Sequence, residues 1–144
     1  MISIPDGFKF RLYELVDRHT FLTRGDAAWG VFSQQSIDML HGVRTFLGVP
    51  IIINNWHEGG PWEWCGYRSP GCTIGAPQSE HRNGNAFDCH CVGLSAEDAR
   101  GRILADRDNP LLKEVRRMEA AGSWMHIDRG KLKVGQERIY VFHA

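Results

Sequence analysis

The sequence lacks several features that would assign it to a class at once. Its 144 residues carry no surplus of charge, because 17 basic residues balance 17 acidic ones. This balance argues against a nucleic-acid footprint and against attraction to an anionic membrane surface. No apolar run approaches the roughly 20 residues that span a bilayer, so membrane insertion is not expected. The length suits one domain over residues 1–144.

The first residues, MISIPDGFKFRLYEL, also lack the basic start and long apolar stretch of a secretory signal. We therefore expect synthesis in the cytoplasm and cysteines that are mostly reduced. The cysteines do not form the two C-x-x-C pairs of a zinc ribbon, and two of them lie on a predicted strand as small buried hydrophobes. They are Cys65, Cys72, Cys89 and Cys91.

Hydrophobic periodicity predicts an α+β domain with a small, mainly antiparallel sheet flanked by helices. Helices are expected over 7–17, 33–47, 95–105 and 110–121. Strands are expected over 49–54, 85–92, 123–128 and 138–142. The stretch 56–84 is rich in Gly, Pro, Ser and Asn but also holds aromatic residues, which predicts an irregular yet ordered segment.

A first group of candidate metal ligands lies in SEHRNGNAFDCH, residues 79–90. His81 precedes the predicted strand and Asp88 lies on it, while Gly84 between them allows a sharp turn. Strand alternation places Asp88 and His90 on one face. A carboxylate in an otherwise apolar strand must be paired or metal-bound, because isolated burial is strongly unfavourable. The alternative to a metal is an ion pair with an arginine such as Arg68 or Arg82.

A second group lies in SWMHID, residues 123–128. Alternation places His126 and Asp128 on one face and leaves Met125 and Ile127 on the other. A neighbouring strand could bring His126 beside Asp88. Two imidazoles and one carboxylate suit a catalytic zinc ion whose fourth position is left to water.

These motifs resemble a known family. The pattern H-x-x-G-x-A-x-D over residues 81–88, followed by W-x-H-x-D over 124–128, is similar to the zinc D-alanyl-D-alanine carboxypeptidases. Their relatives include phage L-alanyl-D-glutamate endolysins, vancomycin-resistance dipeptidases and hedgehog-like metallopeptidase domains. The match includes GYRS at 66–69 and covers roughly residues 50–128.

The resemblance implies one Zn²⁺ ion held by His81, Asp88 and His126, and hydrolysis of peptide bonds in bacterial peptidoglycan. Arg68 would polarise the scissile carbonyl or hold a substrate carboxylate; its alternative role is a loop-anchoring salt bridge. Ser79 would help to position the substrate. Such an enzyme would act on the cell wall after release from the cytoplasm, or be carried in a phage particle.

The sequence departs from the family at the general base. Many members have a glutamate three residues before the second histidine, where this chain has Ser123. Asp128 is the preferred replacement, because it shares the expected metal face with His126. Glu119, expected on a helix, and His90 are the alternatives.

Asp128 has other possible roles as well. It could orient a metal ligand, or pair with Arg129 or Lys131. If no residue serves as the base, the chain is a catalytically inactive metal-binding module of a phage structural or binding protein.

Overall fold

The computed structural model describes residues 1–76 and 78–143. Over these ranges the fold is α+β, as predicted, with three α-helices and a five-stranded, mostly antiparallel sheet. The helices are α1 (Arg18–Arg24), α2 (Gln34–Leu47) and α3 (Ala96–Ala105). The strands are β1 (Ile51–Ile52), β2 (Ala86–Cys91), β3 (Arg117–Glu119), β4 (Met125–Asp128) and β5 (Tyr140–Phe142).

The strands are ordered β1-β2-β4-β3-β5 across the sheet. All neighbours run antiparallel except β3 and β5, which are parallel. The pairing of β2 with β4 sets Asp88 directly opposite His126 and Phe87 opposite Ile127. The predicted neighbour relation between the two motifs is therefore confirmed.

The two helices with clear sequence boundaries form where predicted. Ser33 caps α2 by accepting a hydrogen bond from the backbone of Ser36, and Gly48 ends the helix with a φ of 68°. Ser95 caps α3 through the backbone N–H of Asp98. Among the described residues, no helix is long and apolar enough to cross a membrane.

The helix predicted over 7–17 is wrong. That segment contains only a 3-10 turn at Leu12–Glu14, and α1 begins after it, capped by Asp17. The carbonyls of Glu14 and Leu15 accept hydrogen bonds from the backbone of Asn54 and Tyr67. These carbonyls are therefore not available to a helix of their own.

The helix predicted over 110–121 is also wrong. A 3-10 turn at Pro110–Leu112 is followed by β3, which lies between β4 and β5. The apolar positions Leu112, Val115 and Met118 recur every third residue and imitate one face of a helix, yet all three are fully buried around a strand. Sheet pairing on both sides of β3 overrides this local pattern.

The other strands are shorter than predicted, and the long segment between β1 and β2 is irregular as expected. In the strand predicted over 49–54, pairing with β2 covers only Ile51 and Ile52. The backbone N–H of Asn54 bonds instead to the carbonyl of Glu14. Two 3-10 turns interrupt the irregular segment, at Trp56–Glu58 and Glu80–Asn83.

The core lies on one face of the sheet. Met125 and Ile127 of β4 are fully buried with Phe87 of β2, in one cluster with the apolar side of α2. Each such side chain stabilises the fold by about 1.5–3 kcal/mol through burial. The opposite face of β4 presents His126 and Asp128, as strand alternation predicted.

Gly84 provides a test of how the turn before β2 is built. Its φ is 68°, and a Cβ there would meet the carbonyl oxygen of Val31, whereas Gly93 has a φ of 76° and open space around it. We expect Gly93→Ala to lower the free energy of unfolding by about 1–2 kcal/mol from the backbone conformation alone. Gly84→Ala should lower it further, because the Val31 carbonyl must also move. Urea unfolding of both variants measures the difference; equal losses would contradict it.

Candidate metal site

Three side chains that are distant in sequence converge at one point. His81 lies on the 3-10 turn before β2, Asp88 on β2 and His126 on β4, and all three are at least nine-tenths buried. Nε2 of His81 is 3.2 Å, and Nδ1 of His126 2.9 Å, from the same Oδ1 atom of Asp88. One ligand atom from each residue lies within 4.8 Å of the other two. We call these three residues the metal group, because they could hold a metal ion.

The distances from Asp88 to the two histidine nitrogens suit a tetrahedral ion. Bonds of about 2.0–2.1 Å to nitrogen and oxygen place neighbouring ligand atoms roughly 3.3 Å apart. The two contacts to Asp88, at 3.2 and 2.9 Å, are close to that value. The separation of each histidine nitrogen from Asp88 is therefore already suitable for such an ion.

The outer nitrogen of each histidine is held by a hydrogen-bond acceptor. Nδ1 of His81 lies 2.9 Å from the carbonyl oxygen of Gly66, and Nε2 of His126 lies 2.8 Å from Oδ2 of Asp128. When these N–H groups donate outwards and His126 is neutral, Nε2 of His81 and Nδ1 of His126 each present a lone pair towards Asp88. Metal-binding histidines are usually oriented in this way.

The contacts of Asp128 favour the orienting role over that of general base. Its carboxylate is fully buried and accepts hydrogen bonds from Arg117 at 2.7 and 2.9 Å and from the backbone of Gly130 at 2.8 Å. It touches His126 on the side that faces away from Asp88. Its basic partner is Arg117, whereas Arg129 contacts Glu114.

Glu119 lies in a different place from the one predicted. It belongs to strand β3 rather than a helix, and it lines the same cleft as the metal group. Within the described part of the chain, no hydrogen bond engages its carboxylate. Polar Arg117 and Glu119 alternate with buried Met118, but three residues are too short a pattern to distinguish a strand from a helix.

His90 faces a different part of the surface. Its ring stacks on Trp62 with 3.6 Å between ring centroids, and its Nε2 lies 3.5 Å from Sγ of Cys65. It lines a neighbouring pocket rather than the cleft that contains His81 and His126.

Arg68 and Ser79 both lie beside the metal group. Nη2 of Arg68 is 3.3 Å from Oδ2 of Asp88, and its Nε donates to the carbonyl of Trp64 at 2.8 Å. The ion pair uses the oxygen of Asp88 that does not face the histidines, so the predicted pair and the metal group are compatible. Ser79 caps the turn that carries His81, accepting its backbone N–H at 3.3 Å.

The alternative partner of Asp88, Arg82, is placed elsewhere. It donates hydrogen bonds to the carbonyl oxygens of Cys72 and Ala76, and so fastens that loop instead.

The metal group lies in an open cleft of about 340 Å³. Residues of both charges line it. Besides the three candidate ligands, the lining includes Arg68, Ser79, Glu80, Arg117, Glu119 and Phe142.

No family model, curated protein or solved structure matches the chain. What the site can do is therefore inferred from its geometry and its chemistry.

His126 carries a proton at neutral pH, and a metal ion bound at this group would have to displace it. Burial acts to lower the pKa of His126, but hydrogen bonds to Asp128 and Asp88 outweigh it and raise the pKa to about 9. Burial likewise acts to raise the pKa of Asp88, and hydrogen bonds from His126 and His81 reverse this, so that its pKa falls below the ordinary range. At neutral pH a protonated His126 therefore lies between two carboxylates.

The cysteines do not form a second site. All four lie in the described ranges and are free thiols, and Cys89 is buried in the core as expected. Burial, followed by the charge of Asp88, raises the pKa of Cys65 to about 12. Among residues 1–76 and 78–143, the one group of three metal-type side chains within reach of a single ion is His81, Asp88 and His126.

We predict that the protein binds one zinc ion and releases one proton from His126 as it does so. The apparent affinity should rise about tenfold per pH unit between about pH 6 and 8, because the competing proton leaves as the pH approaches 9. Calorimetry in buffers of different ionisation enthalpy measures the proton release. His81→Ala should lose the ion, while His90→Ala, two residues from Asp88 on the same strand, should keep it. Equal loss in both variants would contradict the assignment.

A second prediction concerns the orientation of His126. Asp128→Asn should weaken zinc binding about 10- to 100-fold, because the acceptor that holds Nε2 loses its charge. Competition with a chelating dye measures the affinity. Asp108→Asn, on an exposed turn, is the matched control and should leave it unchanged. An unchanged affinity in Asp128→Asn would rule out the orienting role.

Proposed function

We propose that this protein is a zinc-dependent peptidase that hydrolyses amide bonds in the peptide part of bacterial peptidoglycan. The observation that carries the proposal is the convergence of His81, Asp88 and His126 in an open cleft, with the outer nitrogens of both histidines engaged. Three ligands with a fourth position open to the cleft are characteristic of catalytic rather than structural zinc sites.

The substrate class is supported by the resemblance of the two motifs to the zinc D-alanyl-D-alanine carboxypeptidases and phage endolysins. The matched positions are the same ones that form the metal group, with Gly84 at the turn and Arg68 beside Asp88. The proposal includes the setting: action on the cell wall after release from the cytoplasm, or as part of a phage particle.

Glu119 is proposed as the general base. When bound, zinc supplies a Lewis acid that makes hydroxide available near neutral pH. Glu119 lines the cleft, and its carboxylate lacks a hydrogen bond from the described residues, so it is available to take a proton from the attacking water and return it to the leaving amine. Asp128, by contrast, has its oxygens occupied by Arg117, Gly130 and His126.

Arg68 and Ser79 are proposed to bind the substrate. The Arg68 guanidinium is tethered at Nε by the Trp64 carbonyl and lies at the edge of the metal group, where it can attract a substrate carboxylate or the developing charge on the carbonyl oxygen. Ser79 lines the cleft, and its hydroxyl can donate a hydrogen bond to a substrate carbonyl while it accepts from the backbone N–H of His81.

The test is hydrolysis of purified peptidoglycan. The zinc-loaded protein should release new amino groups, a chelator should stop the release, and added zinc should restore it. Glu119→Gln should slow the reaction by about 100-fold or more while zinc remains bound. Glu137→Gln, at an exposed position, is the control. Unchanged cleavage by His81→Ala would contradict the metal mechanism, and unchanged cleavage by Glu119→Gln would contradict the choice of base.

A non-catalytic metal-binding module is the second candidate, favoured by one observation. Ser123 stands where many of the resembling enzymes have their catalytic glutamate. Stoichiometric zinc without hydrolysis of peptidoglycan or of dipeptides would support this function, in a phage structural or binding protein.

A further inference from the structure

A second pocket lies beside the cleft that contains the metal group. It has a volume of about 230 Å³, and we call it the side pocket; much of its lining is formed by Trp62, Trp64, Cys65, Ile74, His90 and Trp124. Two of these side chains are open to solvent, because Ile74 is 51% exposed and Trp124 42% exposed. A ligand can therefore reach the side pocket directly from solvent, without passing through the cleft.

Three tryptophans line the side pocket, and each has a backbone group hydrogen-bonded to a side chain elsewhere in the fold. The partners are Oδ1 of Asn55 for Trp62, Nε of Arg68 for Trp64 and Nη1 of Arg100 for Trp124, at 2.8, 2.8 and 3.3 Å. A ligand that contacts these indole rings thus meets backbone segments that are already fixed. This preorganisation lowers the ordering cost of binding.

The indole N–H groups of the same tryptophans are available to a ligand. Within residues 1–76 and 78–143, no hydrogen bond engages Nε1 of Trp62, Trp64 or Trp124. By contrast, Nε1 of Trp56 donates to the carbonyl of Val16 at 2.9 Å. A purely apolar ligand that covered these donors would leave them unsatisfied, which is unfavourable. The side pocket therefore favours a ligand that combines apolar surface with hydrogen-bond acceptors.

Glu63 adds an acceptor to the lining of the side pocket. Its Oε2 accepts the backbone N–H of Arg18 at 3.1 Å, and no hydrogen bond from the described residues engages Oε1. A hydroxyl group both donates and accepts, so a ligand with several hydroxyls can use Oε1 and the indole N–H groups together. Sugar rings have this character, with hydroxyls at the edge and C–H groups on the faces that can pack on an indole.

We infer that the side pocket binds an N-acetylated amino sugar of the peptidoglycan glycan strand. The C–H face and the acetamido methyl of the sugar pack on the indole rings, the acetamido carbonyl accepts an indole N–H, and a hydroxyl donates to Glu63. The choice of sugar rests on the proposed function, because peptidoglycan carries its peptides on a strand of such sugars. A strand held there keeps those peptides at high local concentration near the metal group.

The test is binding of soluble sugars, without turnover. N-acetylglucosamine trimer is titrated into the protein while the indole N–H resonances of its five tryptophans are followed by NMR. The resonances of Trp62, Trp64 and Trp124 should shift. Those of Trp29 and Trp56, which do not belong to the lining, should stay in place. Cellotriose, which has hydroxyls where the trimer has acetamido groups, should bind at least about tenfold more weakly.

Two variants at exposed positions locate the site. Trp124→Ala should weaken trimer binding about tenfold and Ile74→Ser about threefold, because the sugar loses apolar contact. Neither removes a buried side chain, and thermal unfolding checks that both variants are folded. Leu22→Ser, which removes an apolar side chain that is 72% exposed on α1, is the matched control and should leave the affinity unchanged. An affinity that persists in both side-pocket variants would overturn the inference.

The remaining outcomes separate this inference from the proposed function. Failure of the trimer to bind, or equal affinity for cellotriose, overturns the sugar site even if the protein cleaves peptidoglycan. Shifts of the same resonances by N-acetyl-leucine amide at lower concentrations than the trimer assign the pocket to a peptide side chain and also overturn it. Trimer binding that depends on Trp124 and Ile74, in a protein that leaves peptidoglycan intact, supports the sugar site and overturns the proposed function alone.

Discussion

The alignment of β2 against β4 is the constraint on which the rest of the site depends. It places Asp88 opposite His126 on one face and Phe87 opposite Ile127 on the other. Since successive side chains point to opposite faces, a shift of the strand pairing by one residue would exchange the two faces. The candidate metal ligands would then point into the core, and the apolar side chains would point away from it. The apolar face, which is fully buried, therefore holds the polar face in place. The stability of the core and the geometry of the metal group are consequences of the same pairing.

The site is assembled in layers around that pairing. Asp88 receives both histidines on one oxygen and Arg68 on the other, while the outer nitrogens of the histidines are held by a backbone carbonyl and by Asp128. Arg117 neutralises Asp128 and packs its guanidinium 4.6 Å from the ring centre of Phe142. Positive and negative groups thus alternate outwards from Asp88. A divalent ion bound in place of the proton on His126 would raise the net charge of this group by one.

The parts of this structure that were predictable are those determined by local patterns. Caps and a stop glycine identified α2 and α3, and strand alternation placed His126 on the face of Asp88. Strand β3 was not predictable in this way, because the spacing of Leu112, Val115 and Met118 is equally typical of a helix. Only pairing with two strands that follow later in the chain distinguishes the alternatives. That error also misplaced Glu119, and so the choice among candidate bases required the fold.

The hydrogen bond from His81 to the Gly66 carbonyl joins a candidate metal ligand to the loop that carries Arg68. Gly66 lies two residues before Arg68 in the same loop. The backbone N–H of Tyr67 donates to the carbonyl of Leu15, and the backbone N–H of Arg68 donates to the carbonyl of His81. The imidazole and the arginine loop consequently form a closed ring of contacts. An ion bound to His81 would restrict the motion of this ring. Metal binding and the ordering of Arg68 would therefore be coupled in free energy.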